Sequence, residues 1–89
     1  MSFTEISQQA INQALAGNWQ AAVDLNQEII KQNPQDIEAL SRLAKAYTEL
    51  GKKTLALKTY RKVLQLDQFN PIAKNNLAKF SAKKSEQRE

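Results

Sequence analysis

The residues from Ile37 to Asn70, IEALSRLAKAYTELGKKTLALKTYRKVLQLDQFN, carry a period that constrains the fold more than any other feature of the chain. Shifted back by 34 positions, Ser41 falls on Ser7, Ala44 on Ala10, Gly51 on Gly17 and Ala56 on Ala22. Shifted forward by 34, Leu43 falls on Leu77 and Ala44 on Ala78. Within each unit, apolar residues recur at helical spacing on both sides of a glycine. A helix–turn–helix unit that returns every 34 residues, with small residues at fixed places, marks a stacked helical repeat. One hairpin cannot cover its own apolar face, so its neighbour must do it.

Local rules place five helices. Ser2 and Glu5 fit an S-x-x-E capping box, so the first helix begins near Phe3 or Thr4. Ile6, Ala10 and Ala14 keep a helical spacing, and Gly17 supplies the positive φ that ends many helices. Asn18 is an N-cap type for a second helix reaching Gln32, with Ala22, Val23, Leu25, Ile29 and Ile30 as its stripe. Asn33-Pro34 stops it, because the residue before proline is pushed out of the α region. Asp36 caps a third helix reaching Leu50, with Leu40, Leu43, Ala44, Tyr47 and Leu50 inward and Gly51 closing it. A fourth, Lys53 to Leu66, turns Ala56, Leu57, Tyr60, Val63 and Leu64 inward. Asn70-Pro71 starts a fifth, with Ile72, Leu77 and Phe80 on one side and Lys74, Asn75 and Lys79 on the other. The expected domain is residues 1–82: repeat one 3–36, repeat two 37–70 and a capping helix 71–82. The polar tail 83–89, KKSEQRE, is expected to fray and would suit a linker into a following domain.

Composition removes most chemistry. The chain has no Cys and no His, so thiolate sites, disulfides and the commonest general base are absent. Both glycines fall in helix–helix turns, which leaves no phosphate-cradling loop. Ser7, Ser41 and Thr48 have no base to activate a hydroxyl. Asp24 and Glu28 stand one turn apart but have no further acid or His to complete a metal site, and a solvated acidic face is the simpler reading. No catalytic residue, metal or cofactor is therefore expected. The N-terminus shows no secretory leader and no stretch is long enough to span a membrane, so a soluble cytoplasmic protein is expected. The net charge of +4 is uneven: residues 1–36 carry one Lys against four acids, and residues 37–70 seven bases against three acids.

The second unit resembles the tetratricopeptide repeat family. It carries Leu40, Leu43-Ala44, Tyr47, the turn Gly51, the small Ala56, Tyr60 and the ending Val63-Leu64-Gln65-Leu66-Asp67 at the family's places. The first keeps Ala10, Gly17, Trp19, Ala22 and Asn33-Pro34, but departs at Gln9, Gln13 and Asn26, the last standing where an aromatic is usual. Gln68 stands where the family prefers proline, so a looser turn is expected there. The resemblance implies an all-α, right-handed solenoid fragment whose first helices line a concave groove for a peptide or protein surface. Carried over by position, the groove residues are Thr4, Ser7, Ile11, Leu15, Glu38, Ser41, Arg42, Lys45, Thr48, Glu49, Asn75, Asn76 and Lys79. The subclass that grips a chaperone's terminal carboxylate has Lys and Asn where this chain has Ser7 and Ile11, so that ligand is not expected. Lys45 and Glu49 are spaced to pair within their helix. Trp19 is expected to pack between helices. Two further readings stay open. One is polyanion or nucleic-acid binding through Lys52, Lys53, Lys58, Arg61, Lys62, Lys74, Lys79, Lys83 and Lys84. The other is a weak homodimer through the open N-terminal stacking face.

Overall fold

The computed structural model describes residues 2–87, with side chains to residue 80. Five helices follow one another: α1 Phe3–Leu15, α2 Trp19–Gln32, α3 Ile37–Glu49, α4 Lys53–Leu66 and α5 Pro71–Gln87. No strand occurs among the described residues. Each helix packs on the next in sequence, and α1 also touches α3, so the chain is an all-α stack of helical hairpins.

The two glycine turns are copies of one another. Gly17 has φ +79° and Gly51 φ +77°. In the first, Asn18 N–H donates to Gln13 C=O at 2.8 Å and Gly17 N–H to Ala14 C=O at 3.0 Å. In the second, Lys52 N–H donates to Tyr47 C=O at 2.9 Å and Gly51 N–H to Thr48 C=O at 3.1 Å. This paired bonding satisfies carbonyls that a helix end leaves orphaned. The links between hairpins also repeat. Asp36 N–H reaches Asn33 C=O and Asn70 N–H reaches Asp67 C=O, each at 3.1 Å. Asn33 and Asp67 share nearly one backbone conformation, φ −138°, ψ 85° and φ −144°, ψ 91°. The turn at Gln68 is therefore as closed as the one at Pro34, because hydrogen bonds hold it without the proline.

Capping is uneven. The Asp36 carboxylate accepts from Ala39 N–H at 3.0 Å, and Asn70 Oδ1 from Ala73 N–H at 3.0 Å. Ser2 Oγ accepts from Glu5 N–H at 3.2 Å, while the Glu5 carboxylate accepts a hydrogen bond from the Ser2 hydroxyl rather than from a backbone N–H. Asn18 holds the N-cap place of α2 without capping it, since its Nδ2 donates to Gln13 Oε1 across the turn.

Small residues sit at the helix crossings. Ala10, Ala22, Ala44 and Ala56 are all fully buried, as are Ala39, Ala46 and Ala73. Helix axes approach to about 8 Å only where side chains are this short. Larger side chains fill the spaces between: Leu43 and Tyr47 against Val23, Tyr60 and Val63 against Leu40, and Ile6 against Ile29. Ile30 packs on all three groups and joins them.

Two side-chain placements need correction. Leu50 is 36% exposed instead of inward, because α3 ends at Glu49 and Leu50 caps it beyond the last core-facing turn. Ile72 is 53% exposed, since α5 faces its neighbours through Ala73, Leu77 and Phe80, an i, i+4, i+7 stripe one residue on. The fifth helix spans Pro71–Gln87; its residues 81–87, SAKKSEQ, hold good helix formers and neither Gly nor Pro. Of the tail expected to fray, residues 88–89 lie outside those described.

Candidate binding groove

Stacking the hairpins lays α1, α3 and α5 along one side, and a groove of about 390 Å³ opens between them. It is lined by Ala14 near the end of α1, Trp19 at the start of α2, and Ser41, Arg42 and Lys45 on α3. Tyr60 from α4 and Ile72, Asn76 and Lys79 from α5 complete it. The spacing explains the convergence. Ser41 and Lys45 are one turn apart with Arg42 beside them, and Ile72, Asn76 and Lys79 form a second i, i+4, i+7 stripe. The lining is more apolar than polar, a common make-up for sites that take a side chain or small ligand.

The polar groups differ in how far they are committed. Lys45 Nζ sits 2.9 Å from Glu49 Oε1, the only ion pair among the described residues. Both are solvent-accessible, so the pair contributes only about 0.3–0.5 kcal/mol and yields readily to a ligand. Arg42 is half-buried, and its Nε donates to Asn26 Oδ1 at 3.0 Å. Asn26 itself is fully buried, its Nδ2 donating to Ala22 C=O at 2.9 Å. Asn76 Nδ2 donates to Ile72 C=O at 2.7 Å, leaving its oxygen available. Tyr60 is 1% exposed. Burial pushes its phenol above the usual range, with Glu49 adding to the effect and the Thr48 hydroxyl and Lys45 opposing it. It stays neutral at physiological pH.

Of the positions expected from sequence, Ser41, Arg42, Lys45, Asn76 and Lys79 line this groove. The others lie outside its lining. Ser7 and Ile11 are half-buried on α1, and Thr4, Leu15, Glu38, Glu49 and Asn75 are exposed. Thr48 is half-buried and its hydroxyl donates to Ala44 C=O of its own helix at 2.9 Å. Trp19 both packs on the core, as expected, and borders the groove. Ala14, Tyr60 and Ile72 join the lining without a sequence signal, because each was counted as core. Asp24 and Glu28 accept from Gln20 and Gln32 on their own helix face. No cluster of acids suited to a metal occurs among the described residues. No described helix is long and apolar enough to cross a membrane.

A family model for the tetratricopeptide repeat matches residues 13–80. The crystal structure of a putative protein binding protein from Bacteroides ovatus ATCC 8483 superposes with a TM-score of 0.85 at 24% sequence identity. The alignment covers 92% of this chain but 41% of that one, so the chain spans about two-fifths of that protein's length. At this identity the likeness is one of fold. No curated protein matches the chain.

Proposed function

The chain belongs to the tetratricopeptide repeat family, and from that footing we propose that it is a non-catalytic interaction module that receives a partner's peptide or protein surface in the groove between α1, α3 and α5. Repeats of this family generally mediate protein–protein interaction. The observation that carries the groove reading is the convergence of two helical stripes, Ser41, Arg42 and Lys45 facing Ile72, Asn76 and Lys79, on one mainly apolar cleft. Cations and amides over an apolar floor can fix both the position and the register of a bound segment.

Affinity capture from the native cell tests this. Proteins held by the wild type should be lost with Lys45→Glu combined with Lys79→Glu, and retained with Lys58→Glu on the exposed side of α4. Loss with Lys58→Glu and retention with the groove variant would place the binding surface elsewhere.

A polyanion reading rests on a different observation. Lys52, Lys53, Lys58, Arg61 and Lys62 are all exposed at and along α4. The aromatic of that helix, Tyr60, is buried and offers no stacking face there. Such binding would weaken steeply with salt. A flat salt response removes it.

A further inference from the structure

Asn26 is a fully buried amide in the middle of α2, at a place where an apolar side chain would fill the space without any polar group to satisfy. It is satisfied by Ala22 C=O on its own helix and by Arg42 Nε on the next. The second bond uses the one guanidinium N–H that points back along the side chain. It fixes the plane of the guanidinium and leaves both Nη groups as donors on a residue that lines the groove. Lys79 and Asn76 line the same groove from α5, and Lys45 stands beside Arg42 on α3. Among the described residues no Asp or Glu lines it. Lys45 is paired with Glu49 at the edge of the cleft, whereas Arg42 and Lys79 have no acidic partner among the described residues and stand next to the apolar surfaces of Ala14, Trp19 and Ile72.

We infer that the groove selects acidic peptides: a partner's Asp or Glu carboxylate is received by Arg42 and Lys79, an apolar neighbour lies against Trp19 and Ile72, and Asn26 is the positioning residue that holds Arg42 for the carboxylate. This rests on the groove reading above. A fixed guanidinium fork matches a carboxylate with two parallel hydrogen bonds, and less side-chain freedom is lost when the fork is already held. A peptide is favoured over nucleic acid because, of the two aromatics that line the cleft, Tyr60 is buried and only Trp19 offers an accessible ring, instead of a row of stacking platforms.

The probe is a randomised nonapeptide display library selected on the whole chain, with Trp19, the only tryptophan, as a fluorescence reporter at the groove. Selected peptides should be rich in Asp and Glu, and replacing the key Glu by Gln should weaken binding about tenfold. Asn26→Leu should weaken the acidic peptides severalfold but not their Gln twins, and that loss should vanish in an Arg42→Gln background. Lys79→Glu, at an exposed position, should abolish the acid preference even if Asn26→Leu does not fold. Groove-bound peptides without acid enrichment would overturn this inference and leave the groove reading standing. The inference also falls if Asn26→Leu acts equally in both backgrounds, or if an oligothymidylate displaces the peptides at physiological salt. Selected peptides that move neither Trp19 emission nor the amides of residues 41–45 would overturn the groove reading itself.

Discussion

Asn26 and Arg42 share one hydrogen bond, yet their substitutions should differ in cost. Arg42→Met leaves Asn26 Oδ1 buried without its donor, which costs about 1–3 kcal/mol. Asn26→Leu replaces the amide with an apolar side chain of similar shape, while the half-buried Arg42 can turn to water, so stability should change by less than about 1 kcal/mol. Urea unfolding of the two variants checks the order, and a larger loss for Asn26→Leu would contradict it. Tyr60 makes a second residue-level prediction. Its folded pKa lies above the ordinary 10.0, chiefly through burial. The folded state therefore holds that proton more tightly than the unfolded chain does. Stability is unaffected by this group below pH 10.0 and falls as pH rises above it, until the buried phenol also ionises. Thermal melts across that range should decline less steeply for Tyr60→Phe than for wild type; equal slopes would show that the phenol is not held protonated. The sequence made the crossing alanines legible, because a small residue repeated at fixed spacing has one common physical use. It did not make the Asn26–Arg42 bond legible, since a contact between side chains 16 positions apart leaves no local pattern.

At the scale of the helices, boundaries followed from caps and punctuators. Gly17, Gly51, Pro34 and the Asp36 cap each act through their own backbone conformation or side chain, so they can be read without knowing the fold. The facing of α5 could not be read that way. Ile72 and Ala73 are both apolar neighbours in sequence, and only close approach to α4 decides that the smaller one goes inward. The missing proline at Gln68 also gave a misleading signal. Asp67 already adopts the conformation of Asn33, and Phe69 N–H is held by Asp67 Oδ1 at 3.4 Å. Gln68→Pro should fit this turn and stabilise the chain by about 0.4–1 kcal/mol, mainly by restricting the unfolded state. Differential scanning calorimetry checks it, and a lower melting temperature would mean that the two turns are not equivalent.

For the whole molecule, the architecture was legible because a repeat stack is nearly one-dimensional. Each hairpin meets mainly its neighbours, so a 34-residue period and two turn glycines specify the arrangement without long-range information. The groove was legible only in part. Ser41, Arg42, Lys45, Asn76 and Lys79 could be placed by register, since the same positions of successive first helices face the same side. Trp19, Tyr60 and Ile72 belong to helices or faces that serve the core elsewhere, and only the three-dimensional stack brings them to the groove.

The central claim is that partners bind on the α3–α5 side and not on the outer helices. The most direct measurement is an amide chemical-shift map of the isotope-labelled chain during titration with a peptide selected on it. The largest shifts should fall on residues 41–49 and 72–79 and fade in the Lys45→Glu, Lys79→Glu variant. Shifts confined to the exposed faces of α2 and α4, unchanged in that variant, would contradict the account.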